Sequence, residues 1–466
     1  MLERDCVHCF TQGGKFFVVD GNSGAVHQLD TLSYMLVQQM VQGATLESAA
    51  EEARRTALYA AVDIQEASAE LGELIAEGLL FSADVLDVLP RQNSVVKALC
   101  LNVAHDCNLR CTYCFADTGN FGHQRELMRL AVAKQAVDFL IQGSGSRKQL
   151  EIDFFGGEPL LNFEVVKDTV LYGEEQGALY GKQIRFTITT NGMGLTKEIM
   201  DFCNEKMYNV VLSIDGRQEV NDKARYTPNG RGSVYQTIVP KYQEFVASRK
   251  GKSYYVRGTF TRANLDFTQD VIHLADLGFE QLSLEPVVAA ENLPYALTEA
   301  ELPAILREYD TLAEVYLARY LDQKPFNFFH FNVELKKGPC LYKRLSGCGA
   351  GHEYLAVTPD GELYPCHQFI GQPEYKLGDV ATGLVNKSLG EKLQDAHVLH
   401  KPECRKCWAK YYCSGGCHAN NLKFNKDVRI PYGVACTMEQ KRLECSFYIH
   451  AVVHENAGAR ADENVV

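Results

Sequence analysis

Cysteine placement constrains this chain more than any other feature. Of its 16 cysteines, three lie between positions 107 and 114 and eight between 340 and 436; Cys6, Cys9, Cys100, Cys203 and Cys445 fall outside both groups. The opening residues MLERDCVHCF lack a basic stretch followed by an apolar run, so no signal peptide is expected. No run of about 18 apolar residues occurs, and no membrane-spanning helix is expected. The expected compartment is the cytoplasm, where thiols stay reduced and clustered cysteines read as metal ligands rather than disulfides.

The chain divides into stretches of different rhythm. Residues 1–82 read as a small unit. Lys15–Asp20 (KFFVVD), a Gly-Asn-Ser-Gly turn and AVHQL predict a hairpin. Asp30 is placed to cap a helix carrying Leu32, Met35, Leu36 and Met40, and a second helix carries Ile64, Ala67, Leu71, Leu74 and Ile75. Leu79–Phe81 is expected to return as a strand, which makes the unit winged-helix-like. Residues 83–94 read as a linker. From 95 to 300, six apolar strand-like runs alternate with helical segments: 96–102, 151–155, 184–190, 210–214, 254–261 and 281–287. That alternation predicts an α/β fold, a partial (β/α)6 barrel with its chemistry at the C-terminal strand ends. A helical bridging segment (301–339) leads to a cysteine-rich stretch (340–450) poor in long apolar runs, where bound metal is expected to supply folding energy. Residues 451–466 read as a tail, its last ten residues disordered.

A net charge of −12 argues against nucleic acid and against an acidic membrane surface as partners, since both are recognised by basic faces.

The first cysteine group reads Cys107-Asn108-Leu109-Arg110-Cys111-Thr112-Tyr113-Cys114 and follows the first barrel strand. Three thiolates on one loop can bind three irons of a [4Fe–4S] cluster and leave the fourth open to a chelating ligand. Zinc sites more often pair two Cys-x2-Cys knuckles. This triplet resembles the defining motif of the radical S-adenosylmethionine superfamily, and three downstream loops agree with it. Gly156-Gly157-Glu158-Pro159 resembles the family's methionine-binding loop; glycine lets the backbone approach closely, and Glu158 can accept from an ammonium group. Thr189-Thr190-Asn191-Gly192 and Ser213-Ile214-Asp215-Gly216 end the third and fourth strands, where the family holds ribose and methionine. Both are also strong turn signals. The resemblance implies that Thr190, Asn191, Ser213 and Asp215 bind cofactor, that Tyr113 lies against the adenine, and that Arg225 meets the methionine carboxylate. A solvated surface arginine is the other reading of Arg225.

In the second group Cys348, Cys366, Cys404, Cys407, Cys413, Cys417 and Cys436 occur in an order that resembles the SPASM domain of radical enzymes acting on peptides. The resemblance implies two further [4Fe–4S] clusters. Cys404, Cys407, Cys413 and Cys436 would ligate the outer one. Cys348, Cys366 and Cys417 would ligate the inner one, with Cys340 either its fourth ligand or a free thiol. A single zinc site would leave three of the ordered cysteines unused.

A winged-helix-like unit ahead of such a domain resembles the PqqD-like elements that bind the leader of a ribosomal peptide at a strand edge. The stretches KFFVVDGNSGAVHQL and NVAHDCNLRCTYCFADTGNFG resemble the maturases of small cysteine-rich peptides, the SCIFF or ranthipeptide group. The resemblance implies an enzyme with three [4Fe–4S] clusters that uses S-adenosylmethionine as a 5′-deoxyadenosyl radical source to join a cysteine sulfur to a carbon of the same peptide. A cysteine-rich precursor and an electron donor such as ferredoxin or flavodoxin would be its partners. Other products, a carbon–carbon crosslink or an oxidised cysteine, and a non-enzymatic leader-binding scaffold are the competing readings.

Overall fold

The computed structural model describes residues 3–86, 95–335 and 341–463. Cys340 and linker residues 87–94 lie outside the described residues.

The N-terminal unit is a three-stranded antiparallel meander, β1 (Val7–Gln12), β2 (Lys15–Asp20) and β3 (Ala25–Leu29), followed by α1 (Thr31–Val41), α2 (Leu46–Thr56) and α3 (Ala61–Ala76). The expected hairpin is β2–β3, and Asp30 caps α1 by accepting from the Ser33 amide at 2.9 Å. Sequence patterning missed β1 and α2. The α2 helix buries only Ala49, Ala50 and Ala53, so it shows no large-residue periodicity, although Thr45 and Ser48 form a capping box at its start. Leu79–Phe81 is not a strand. Leu80 and Phe81 are buried against the module's own core, but Phe81 has φ of +52°, a left-handed conformation that cannot continue a ladder.

The six expected barrel strands are present and mutually parallel: β4 (Ala98–Ala104), β6 (Gln149–Gly156), β7 (Gln183–Thr190), β8 (Asn209–Ser213), β10 (Tyr255–Phe260) and β11 (Gln281–Pro286). Two short segments, β5 (Arg110–Cys111) and β9 (Arg225–Tyr226), pair antiparallel beside the sheet. The helices between strands, such as Leu130–Gly143 and Phe163–Leu179, lie close to their expected positions. Every residue of β4 is buried, the mark of a strand covered on both faces.

The cysteine-rich part is continuous with the barrel sheet. Its strand β13 (Tyr354–Val357) pairs in parallel with β4, in register Tyr354↔Ala98 to Val357↔Leu101. Strands β14 (Glu362–Tyr364), β15 (Gly378–Asp379) and β16 (Gly383–Leu384) then extend that edge. With β12 (Asn327–Phe328) on the other edge, one 11-stranded sheet results. Cys114 and Cys366 pack on one small apolar core that includes Phe369 and Ala419. The disorder expected at the C-terminus is also corrected. A helix runs from Gly433 through Glu463, and its last turns (AGARADE) are rich in alanine, the best helix former. The N-terminal unit rests on this helix and on the cysteine loops. Phe10, Phe17 and Val19 share a core with Trp408, Phe447 and Tyr448, and His8 stacks on Trp408 at 4.4 Å. Gly21 is required at that seam, because a Cβ there would meet the Trp408 backbone at 2.5 Å. Among the described residues no helix is long and apolar enough to cross a membrane.

Candidate active site and cysteine centres

The loop after β4 carries Cys107, Cys111 and Cys114 at the C-terminal end of the sheet. It is pinned from several sides. Gly157 lies so close beneath it that a Cβ would meet the Asp106 carbonyl oxygen at 2.2 Å, and Gly156, at φ of +128°, would meet that of Ala104 at 2.3 Å. The β5–β9 pairing sets Cys111 opposite Arg225, and Thr112 donates its amide to the Ala224 carbonyl at 2.9 Å. Asn191 reaches over from the end of β7, donating to Asn108 Oδ1 at 2.8 Å with its Nδ2 3.6 Å from Cys107 Sγ.

Glu158 has a task besides the ammonium contact that the resemblance implies. Its carboxylate is buried and already accepts from three donors: Leu160 N at 3.0 Å, Thr190 Oγ1 at 2.7 Å and Asn191 N at 2.7 Å. It therefore ties the Gly156–Pro159 loop to the Thr189–Gly192 loop, and Thr190 and Asn191 serve that junction. Burial raises its carboxyl above the ordinary range, with the three donors working against the rise.

Half-buried Tyr113 and buried Asp215 and Arg225 form a second unit. The Tyr113 hydroxyl donates to the Asp215 carboxylate, with oxygens at 2.6 and 2.8 Å. Arg225 Nη1 donates to the same hydroxyl at 3.2 Å and lies 3.7 Å from Asp215. Asp215 also accepts from Thr259 N at 3.1 Å, and its own amide donates to Asn221 Oδ1. Arg225 is buried, not a solvated surface arginine, and its Nε has no hydrogen-bond partner.

Tyr113, Ser213 and Arg225 line a cavity of about 620 Å³ whose far wall includes Cys413, Cys417 and Cys436. Phe115, Phe155 and His367 form an aromatic wall between them, their ring centroids 5.0 to 6.4 Å apart. Sequence reasoning missed Phe115 and Phe155, and also Arg257, Glu285 and Arg442 on the same wall. Their isolated positions carry no motif. A second cavity, of about 470 Å³, is lined by Cys404, Cys407, Cys413 and Cys436 together, the four cysteines assigned to the outer centre. Cys348, Cys366 and Cys417 lie within electrostatic range of one another. Cys100, Cys203 and Cys445, which lie outside both groups, are buried core thiols.

A family model of the radical SAM superfamily matches residues 101–236, and one of the SPASM iron–sulfur cluster-binding domain matches residues 348–408. The chain carries a radical SAM domain and, behind it, a SPASM domain. Among its relatives is a cysteine-type anaerobic sulfatase-maturating enzyme of Clostridium novyi, 23% identical over 352 residues that cover 70% of this chain and 88% of the relative. Another is the radical SAM cyclopropyl synthase TigE of Paramaledivibacter caminithermalis, 24% identical over 343 residues, 69% of this chain and 68% of the relative. The fold is shared with native anSMEcpe solved with bound AdoMet and a Kp18Cys peptide. That match has a TM-score of 0.63 at 19% identity and covers 77% of this chain and 99% of that one.

The radical SAM and SPASM domains imply [4Fe–4S] clusters and S-adenosylmethionine, and the residues fit both. Burial pushes the Cys107 thiol up to about 11 and that of Cys111 to about 12 against the pull of Arg225, and Cys404 and Cys436 to about 11 and 12 against that of Lys401. Such thiols are poor anions alone and good ligands once iron supplies positive charge. The unpartnered Nε of Arg225, beside the radical SAM domain's cavity, suits a ligand carboxylate.

Proposed function

We propose that this chain is a radical S-adenosylmethionine peptide maturase that closes intrapeptide thioethers in a cysteine-rich ribosomal precursor. One observation carries the reading: a single cavity joins Tyr113, Ser213 and Arg225 of the radical SAM domain to Cys413, Cys417 and Cys436 of the SPASM domain. A peptide entering it meets both centres. When bound at the Cys107–Cys114 loop, the cluster and S-adenosylmethionine supply a 5′-deoxyadenosyl radical able to take hydrogen from an unactivated carbon. The chain's own residues position and enclose. Arg225, oriented through Tyr113 and Asp215, binds the methionine carboxylate. Gly156 and Gly157 let the loop sit close to the ligand, and Glu158 holds that loop in register with Asn191. The aromatic wall of Phe115, Phe155 and His367 lies between the two ends of the cavity and keeps water from the peptide carbon. Cys348, Cys366 and Cys417 hold the inner auxiliary cluster, and Cys404, Cys407, Cys413 and Cys436 the outer one. The enzyme is cytoplasmic in this reading and takes electrons from a ferredoxin or flavodoxin.

Each thioether removes two hydrogens, so co-expressed precursor is about 2 Da lighter per bridge. A disulfide shows the same loss but yields to a thiol reductant. The expected product keeps its mass loss after reduction and has one fewer alkylatable thiol per bridge. The sulfatase-maturating relative favours a second reading, oxidation of a single peptide cysteine to an aldehyde. In that case the product reacts with a hydrazide probe and contains no crosslinked fragment ions. Either a reversible mass loss or a hydrazide-reactive product overturns the thioether reading.

The N-terminal unit is assigned to leader binding. Support comes from its edges: β1 lies against the C-terminal helix through His8–Glu444 and Gln12–Cys445, whereas β3 pairs only with β2 among the described residues. An unpaired edge accepts an added strand. Single prolines at Val26, His27 and Gln28 test this, because successive amides of an edge strand alternate between the neighbouring strand and the open side. A proline removing an outward amide should weaken leader affinity at least tenfold by fluorescence anisotropy, with Tm nearly unchanged. Wild-type affinity in all three variants would rule the edge out.

A further inference from the structure

The SPASM domain buries a lysine that no carboxylate neutralises. Lys401 is 0% exposed, and its Nζ donates to the Gly415 carbonyl at 2.6 Å. Among the described residues no Asp or Glu lies within ion-pair distance of it. A buried ammonium with one carbonyl partner is costly, because its lost hydration is not repaid. Its surroundings name the missing anion. Gly415 stands between Cys413, assigned to the outer centre, and Cys417, assigned to the inner one, and it lines the cavity that Cys404, Cys407, Cys413 and Cys436 share. Burial pulls the Lys401 ammonium below its ordinary range, and Cys404, Cys413, Cys417 and Cys436, three from the outer set and one from the inner, work against that fall. Among the described residues Nζ makes no other hydrogen bond. A Cβ at Gly415 would meet Nζ at 3.2 Å, so the glycine admits the ammonium to this position.

We propose that Lys401 is a positioning residue for the auxiliary centres, a buried cation shared between them that raises the reduction potential of the outer cluster. The proposal rests on the assignment of the two auxiliary clusters above. A [4Fe–4S] cluster with four thiolates is anionic and gains one more negative charge on reduction, so a fixed neighbouring cation favours the reduced form. The outer cluster then accepts an electron more readily than its solvent distance alone would allow. Lys410, also buried, has the Asp84 carboxylate 3.8 Å from its Nζ and donates to Asn22 Oδ1 at 2.6 Å, so a carboxylate balances its charge as none does for Lys401.

The test is an EPR-monitored redox titration of anaerobically reconstituted full-length protein in which Cys107, Cys111 and Cys114 are alanine, so that only auxiliary signals remain. Lys401→Met should lower the ratio of reduced to oxidised outer cluster at least tenfold at a fixed potential, equivalent to about 59 mV for one electron. Lys401→Arg should keep the wild-type ratio. An unchanged ratio in Lys401→Met with full iron content overturns the proposal, and so does an equal fall in both variants. If Lys401→Met loses iron, Lys401→Arg decides: retained iron at the wild-type ratio supports a charge role, and equal loss refutes it. Failure of the underlying assignment is separate, since auxiliary iron would then be missing from protein that retains Lys401.

Discussion

Protein in which Cys107, Cys111 and Cys114 are all alanine forms no 5′-deoxyadenosine from S-adenosylmethionine, under any reductant. With three four-iron centres, the reconstituted wild-type protein carries about twelve irons, and the triple variant loses roughly a third of them. The loss of activity is complete, not partial, because only this loop would set an open iron beside the Gly156–Pro159 loop and Arg225. The variant still folds. Its loop hangs from β4, whose pairing with β6 and β13 does not involve the thiols, and the substitutions shorten side chains that otherwise carry a desolvation cost. Circular dichroism close to wild type, with auxiliary EPR signals retained, is the matching control. A variant without Cys404 and Cys407 behaves in the opposite way, cleaving S-adenosylmethionine without modifying peptide. Normal 5′-deoxyadenosine from the triple variant, or zinc in place of iron, would sink the assignment.

The second large effect is expected from Arg225→Met. The substitution keeps much of the side chain's volume and removes its charge. A hydrogen bond to a charged group contributes about 1.5–3 kcal/mol, so affinity for S-adenosylmethionine should weaken about 10- to 150-fold by isothermal titration calorimetry. The stability effect has a different origin. Removing Arg225 leaves Asp215 as a buried carboxylate with donors from Tyr113 and Thr259 but no cation, and breaking such a pair typically costs about 3–5 kcal/mol. The double variant Asp215→Asn, Arg225→Met separates the two. It should recover most of the lost Tm, since no unpaired charge remains, but not the cofactor affinity. Wild-type affinity in Arg225→Met would show that the guanidinium only neutralises Asp215.

The contrast between Arg225 and Glu158 shows what sequence patterns can and cannot say about a site. Both belong to recognisable motifs, and both were expected to touch the cofactor. Arg225 keeps a free donor facing the cavity because β9 pairs it against Cys111, a contact between residues 114 positions apart. Glu158 spends its carboxylate on two backbone amides and a threonine. Which donors a carboxylate meets is a property of the assembled loops and leaves no trace in the spacing of Gly156-Gly157-Glu158-Pro159. The cavity wall of Phe115, Phe155, Arg257 and Glu285 was invisible for a similar reason. Aromatic and charged residues at strand ends are common, and only the sheet's curvature decides which of them converge.

The sequence by itself determined the six-strand alternation, the triplet on the first loop and the order of the seven tail cysteines. Each is a local pattern, set by side-chain period or by ligand spacing along a few residues. Tertiary structure alone decided that β13 joins β4 in one sheet, that the N-terminal unit rests on Trp408 and the C-terminal helix, and that Lys401 is buried against the Gly415 carbonyl. These depend on which surfaces meet once apolar faces are buried, and on charges that are unpaired only after water is gone. Neither can be read from residues that are distant in the chain and ordinary in kind.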